Sequence, residues 1–242
     1  MSTAVGVAFK ADLAGRLLQR YKRFLADIET RDGRRLTVHC PNPGSMLGCA
    51  IPGSPVRCST SDNPHRRLPH TLEMIRVGRT WIGLHTTRAN ALVEAALAAH
   101  AIPALSGYAF RRQEAVPESV GGGARFDFLL SGHPRDARPL WLEVKSATLA
   151  ERSVARFPDS VTLRGRRHLE LLTKLKREGA RAALLFVIQR ADCNVVEPAE
   201  DIDPEYARAL RAAAAEGVEL LAVRGRVSPR GLSFECPAEV RL

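Results

Sequence analysis

Cysteine pairs, long apolar runs and, in one third of the chain, acidic residues are what this sequence has little of. The five cysteines (Cys40, Cys49, Cys58, Cys193, Cys236) are odd in number and contain no CxxC pair. That argues against both a zinc site and a disulfide framework, and reduced thiols in a cytoplasmic protein are the expectation. No apolar run reaches membrane-spanning length, and the start, MSTAVGVAFKADL, lacks the apolar centre of a secretory signal, so no membrane partner is expected. No helix-turn-helix pattern is visible, so no helix reading a major groove is predicted. Acidic residues are scarce only early on. Residues 1–88 hold 14 Lys and Arg against 6 Asp and Glu, whereas residues 89–242 hold 22 against 20. A basic first third on a near-neutral remainder points to a polyanionic partner for that third.

Between Gly15 and His85 the apolar runs are short and broken roughly every 8–12 residues by turn formers. LLQRYKRFLADIE turns at Arg31-Asp32-Gly33 into RRLTVHC; PVRCSTS, RLPHTLEMIRV and TWIGLHT follow across Gly- and Pro-rich breaks. Five short strands at this spacing predict a small OB-like β-barrel over residues 1–88. Basic groups beside aromatic rings suit nucleic acid, since bases stack on rings while cations track phosphates. Tyr21, Lys22 and Arg23 are candidate contacts, although Tyr21 fits the barrel core equally well, and Phe24 is expected inside it. Two loops stand out: HCPNPGSM, with Asn42 and Ser45, and SDNPHRRLPH, with Asn63, Arg66 and Arg67. Each can cup a phosphate through backbone amides and arginines, or serve as an ordinary connection. His39 and His70 have no partner at metal spacing.

The pattern changes at residue 89. ANALVEAALAAH reads as a helix over 89–100, stopped by Pro103. Strands follow at GYAFRRQEAV, RFDFLL and LWLEVKS, then a helix at GRRHLELLTKLKRE and a buried strand at ARAALLFVIQR. A further helix at DPEYARALRAAAAE and short strands near ELLAV and LSFEC complete the chain. Helix, three strands, helix, strand is an α/β sandwich order, so residues 89–242 form a second domain.

The chemistry concentrates in RFDFLL and LWLEVKS. Period-2 alternation puts Phe126 and Phe128 on one face with Asp127 on the other. It also puts Trp141, Glu143 and Lys145 together, opposite Leu140, Leu142 and Val144. A hairpin would bring two carboxylates and an ammonium group to one side of a sheet. That set suits Mg²⁺ or Mn²⁺, hard ions that take one or two carboxylates and fill their shell with water and substrate phosphate. A surface ion pair of Glu143 with Lys145 is the plain alternative. The start of the next helix, Arg164, Arg166, Arg167 and His168, is cationic and able to meet a phosphate backbone. Gln189 and Arg190 end the buried strand, where a sheet presents side chains to a cleft.

D…ExK on paired strands resembles the PD-(D/E)xK nuclease superfamily, and the αβββαβ order is that superfamily's core. The resemblance adds Glu94, on the first helix, as a further metal carboxylate; a solvated helix surface is its other reading. On a wider scale YKRFLADI, HCPNPGSMLG, SDNPHRRLPHTLE, WLEVKSATLAE, RFPDSVTLRGRRHLELL and LLFVIQR closely resemble the sugar fermentation stimulation protein family, SfsA, from about Gly15 to Val223. The resemblance implies an α/β plus β architecture, with an OB-like barrel followed by a restriction-endonuclease-like domain. It implies a DNA-binding protein (RNA not excluded), linked in bacteria and archaea to sugar (maltose) metabolism. Asp127, Glu143 and Lys145 would be its catalytic set, with Glu94, Asp127 and Glu143 toward the metal. Two departures stand: Phe126 occupies the superfamily's proline position, and Pro43 replaces the threonine of the family loop HCPNTGSM, removing a hydroxyl. Two functions follow, a metal-dependent nuclease or a non-catalytic DNA-binding regulator on an inactive nuclease fold. A metal-free nucleotide or protein binder is a third.

Overall fold

The computed structural model describes residues 5–117 and 125–242. The chain opens with β1 (Gly6–Ala8), which bypasses the barrel and pairs with the last strand of the chain, Gly6 opposite Ser233. The start of the chain is therefore stitched to the second half, unlike the simple division at residue 88.

The barrel follows. Strands β2 (Leu13–Tyr21), β3 (Leu25–Thr30), β4 (Arg35–His39), β5 (Pro55–Thr60) and β6 (His70–Val77) pair in the order β4-β3-β2-β5-β6. Contact of β4 with β6 at His39 and Thr71 closes the sheet, and β7 (Thr80–Gly83) extends β6 as a hairpin. Closure removes exposed edges, so this OB-like unit needs no cover on its rim. Alternation sets the interior: in β3, Ala26, Ile28 and Thr30 point inward while their neighbours are half-exposed. Leu17, Ile28, Val38, Val56, Leu72 and Ile75 fill the centre with Cys40, Cys49 and Cys58, which are buried free thiols acting as small apolar fillers.

The second half is a mixed sheet with helices on both faces. α1 (Thr86–Ala98) leads through a short turn at Pro103–Leu105 to β8 (Phe110–Ala115), β9 (Phe126–Ser131) and β10 (Leu140–Ala147). β11 (Leu149–Glu151), β12 (Val154–Phe157), α2 (Leu163–Arg177), β13 (Arg181–Ile188) and β14 (Val195–Pro198) come next, then α3 (Pro204–Ala215), β15 (Glu219–Ser228) and β16 (Gly231–Val240). The sheet runs β11-β12-β14-β16-β15-β13-β10-β9-β8. β8, β9 and β10 form an antiparallel meander, and β13 returns parallel to β10 after α2. β13 is apolar without alternation because both its faces are covered. α1 packs its Leu92, Val93 and Ala96 on one face of the sheet, whereas α2 and α3 bury Leu169, Leu172, Tyr206 and Leu210 against the other.

The helix starts are built locally. Thr162 accepts from the Gly165 amide at 3.0 Å to cap α2. Asp203 caps α3 through Tyr206 N–H at 3.0 Å and takes the Thr162 amide on its second oxygen at 2.8 Å, tying the two helix starts together. α1 has no side-chain cap and begins at Thr86, three residues before its expected start.

Candidate active site

β10 is the central element. Its Leu140, Leu142 and Val144 join the core on the α1 side, while Trp141 joins the core on the α2 side. Glu143 faces α2 with its side chain 5% exposed. Its Oε1 contacts Lys145 Nζ and lies 2.5 Å from His168 Nδ1; its Oε2 is buried with no hydrogen-bond partner among the described residues. Burial works to raise the Glu143 pKa, but Lys145 and His168 outweigh it and leave the group below its ordinary value.

Asp127 reaches the same region from β9. The ladder between β9 and β10 ends at Leu142 and Phe128, and the Val144 amide donates to Asp127 Oδ2 at 2.7 Å instead. Asn90 Nδ2 on α1 donates to Asp127 Oδ1 at 2.6 Å. Burial first, and then the charge on Glu143, push Asp127 up to about 6, against the pull of the Val144 amide, Lys145 and Asn90. A carboxyl raised in this way by burial and a second carboxylate marks a place where negative charge is crowded.

Phe126 and Phe128, expected on one face, fall in different cores: Phe126 packs with Trp141 and His168, Phe128 with the α1 side. The β9–β10 ladder stops at Phe128, and on the other side Glu114 of β8, at φ +50, is skipped in the pairing of β8 with β9.

A cleft of about 710 Å³ opens over Lys145, between the two halves. Arg23 and Asn42 line it from the barrel, Thr86 and Asn90 from the start of α1, and Arg156 and Arg164 from the far wall. The barrel loop is clasped across it. Ser45 Oγ donates to the Asp159 carbonyl at 2.5 Å, and the Met46 amide donates to Asp159 Oδ2 at 2.8 Å. Gly44 is required by this closeness, since a Cβ there would lie 2.5 Å from the Asp159 carboxylate. Arg20 holds the loop from below, donating to the carbonyls of Arg23, Asn42, Gly44 and Ser45.

The fold thus gathers Asp127, Glu143 and Lys145, and separates others. Glu94 lies one helical turn beyond Asn90 and pairs with Arg111 at 3.6 Å. Among the described residues no three His, Cys, Asp or Glu side chains cluster at metal-binding spacing. His168 does not join the cationic helix end: it is 4% exposed and orients Glu143, because positions 168, 172 and 175 share the buried stripe of α2. Arg164 is exposed at the cleft, and Arg166 pairs with Glu205 at 3.8 Å. Asn42 is buried and accepts from the Gly44 amide, while Asn63 accepts from the His65 amide in an exposed turn. Arg66 donates to Thr71 Oγ1 at 2.7 Å and to His39 at 3.4 Å; Arg67 is exposed. Tyr21 is half-buried with its hydroxyl on Asp27 at 3.1 Å. Phe24 is corrected from core to surface: it is 44% exposed, because it sits in the β2–β3 turn rather than on an inward strand position. Gln189 lies beneath the cleft rim, buried and bonded to Ser146 Oγ at 2.7 Å. Arg20, Asn90 and Asp159 escaped the sequence reading altogether. Each acts through a contact distant in sequence; for Asn90 the helical spacing from Glu94 was the available signal.

An OB-like barrel ahead of a restriction-endonuclease-like α/β unit is the class these elements define. Residues 18–84 match the family model described as the SfsA N-terminal OB domain, and residues 87–231 match the sugar fermentation stimulation protein RE domain. The chain belongs to the sugar fermentation stimulation protein family. The homolog from Halorhodospira halophila is 54% identical over 228 residues, covering 93% of each chain. That of Syntrophotalea carbinolica is 49% identical over 218 residues, covering 90% of this chain and 91% of its own. The solved structure of Pyrococcus furiosus SfsA shares the fold over the full length of both chains, with a TM-score of 0.86 at 22% identity. No helix among the described residues is long and apolar enough to cross a membrane.

Proposed function

We propose that the chain is a cytoplasmic nucleic-acid-binding protein, DNA being the first candidate, with a divalent-cation-dependent phosphodiesterase site at Asp127, Glu143 and Lys145. The observation that carries this is the buried, unpartnered Glu143 Oε2 beside an Asp127 carboxyl pushed up to about 6. An orphaned carboxylate oxygen within a crowded acidic pair is costly unless a cation takes it up, and Mg²⁺ or Mn²⁺ suits so small a protein ligand set. Asp127 and Glu143 would hold the ion; Glu94, paired to Arg111, is not needed. The Pyrococcus furiosus protein is described in complex with Ca²⁺, an ion of the same oxygen-seeking class.

A bound divalent ion supplies charge neutralisation at the phosphate and activation of water. The chain does the rest. Lys145, 14% exposed at the cleft floor, donates a proton or hydrogen bond to a phosphodiester seated above it. His168 fixes the Glu143 carboxylate from behind, and Asn90 and the Val144 amide fix Asp127. Arg23 and Arg164 flank the same cleft and would steady the neighbouring phosphates.

A second reading, a regulator of sugar metabolism that binds DNA without turnover, draws on the direct pairing of Lys145 with Glu143, which ties up the ammonium group. One experiment separates the two: calorimetric titration of Mg²⁺ and Mn²⁺ beside nicking of supercoiled, linear and single-stranded DNA. Heat lost in Glu143→Gln, with cleavage lost in both Glu143→Gln and Lys145→Met, supports the nuclease. Salt-dependent DNA binding with neither heat nor cleavage supports the regulator.

A further inference from the structure

The turn between β2 and β3 breaks a local rule. Lys22 and Arg23 both have positive φ, 46° and 66°, in the position where hairpins ordinarily place Asn and Gly. Two basic side chains are kept there despite the strain, and Arg20 anchors the turn by donating to the Arg23 carbonyl at 2.8 Å. Immediately after it stands Phe24, 44% exposed, its ring stacked on His39 with centroids 6.5 Å apart and planes 24° from parallel. Arg66 holds the edge of the His39 ring, its Nη2 lying 3.4 Å from Nδ1. Burial, and then Arg66, keep His39 below its ordinary pKa, so the shelf of two rings is uncharged at neutral pH.

An exposed aromatic shelf rimmed by Lys22, Arg23 and Arg66 combines the two contacts that unpaired nucleotides use, a flat face for the base and cations for the phosphates. A base inside a duplex has both faces covered by its stacked neighbours and offers none to such a shelf. We propose that Phe24, backed by His39, is the stacking platform for an unpaired nucleobase, and that the strand runs from it over Arg23 into the cleft above Lys145. Arg23 lines the same cleft as Lys145, so the platform and the candidate site share one track. The inference rests on the nucleic-acid reading above and narrows it to single-stranded substrate, or to a duplex with an unpaired stretch.

The test uses fluorescence anisotropy at low salt with chelator present, so that binding is read without cleavage. The probes are an oligothymidylate of about 16 nucleotides, the matching oligouridylate, an equally long chain of abasic phosphodiester units, and a duplex. Phe24→Ala is expected to weaken both base-bearing single strands about tenfold and to leave the abasic chain and duplex unchanged. Phe24→Trp is expected to restore or tighten single-strand binding, which a merely structural role for the ring would not explain. A loss confined to thymidylate or to uridylate would support the platform and identify the strand it reads. Equal affinities for wild type and Phe24→Ala on the base-bearing strands would overturn the platform, as would a loss of the same size on the abasic chain. Wild-type protein that binds none of the four probes would overturn the underlying nucleic-acid reading instead.

Discussion

In the α/β half, Glu143 and Lys145 stand on an eight-residue strand whose first five positions are all buried, and His168, Asn90 and a backbone amide fix the acidic side chains around them. In the barrel, Lys22, Arg23, Phe24, Asn63 and Arg67 stand on exposed turns, apart from the barrel core. The first arrangement costs stability, because charge is crowded where water is scarce, and it yields a fixed geometry. The second costs little and yields adaptable, salt-sensitive contact. A site for chemistry needs the former and a surface for gripping a flexible polyanion is served by the latter. Substitutions in the two regions should therefore separate turnover from binding.

The largest separation is expected from Lys145→Met. Loss of the ammonium group should lower cleavage by roughly 10²–10⁴-fold, the range for a positioned proton-transferring group, while oligonucleotide affinity changes little. Single-turnover cleavage beside anisotropy checks it. Equal losses in both would erase the contrast.

Next is Arg20→Ala, which acts on the joint between the regions. Four backbone carbonyls lose a charged donor, two of these bonds are partly buried, and the loop clasped to Asp159 loses its support. A fall of about 3 kcal/mol in urea denaturation is expected. A change no greater than that of an ordinary exposed arginine would show that the Ser45–Asp159 clasp holds the loop alone.

Asp127→Asn should move stability the other way. The Asp127 carboxyl sits at about 6 in the folded chain against 3.8 as a free side chain. The folded state therefore binds the extra proton between those values. The associated stability is complete below about pH 4 and is lost as pH rises through about 6. Asn carries no such charge, so the variant should exceed wild type by about 3 kcal/mol at pH 7 and match it near pH 4. The same titration predicts that wild-type Mg²⁺ affinity falls as pH drops below about 6, because a cation binds only the ionised form. Denaturation and calorimetry across pH 4–8 check both.

What the sequence disclosed follows from how each part is built. β10 carries its charges on one face at period 2, so Glu143 and Lys145 were legible with their orientation, and the αβββαβ order followed from helix and strand periods. Asp127 was legible as a residue but not in its contacts, since these arise where β9 leaves β10. Asn90 and Glu94 share a helix face, and only packing decides which one meets the sheet. His168 was grouped with its arginine neighbours by charge, though its spacing to Leu172 and Leu175 placed it inside. β11, β12 and β14 span three or four residues each, too few for a period to register. Phe24 was misplaced because a hydrophobic residue beside a strand reads as core until the turn that expels it is known.

The smallest effect, and the sharpest test of the barrel's role, is expected from Arg67→Ala. Arg67 is exposed and makes no hydrogen bond or ion pair among the described residues, whereas neighbouring Arg66 is engaged with Thr71 and His39. Its removal should leave thermal stability unchanged. If its guanidinium meets a phosphate, the slope of log K against log salt falls by about 0.7 on a single strand or about 0.9 on duplex, one released counterion in either case. Arg66→Ala should give a similar change in slope together with a loss of stability, because Thr71 and the His39 ring lose their partner. An unchanged slope in Arg67→Ala would move the phosphate track off this loop and toward Arg23 and the cleft, where the same salt titration on Arg23→Ala would then show the missing counterion.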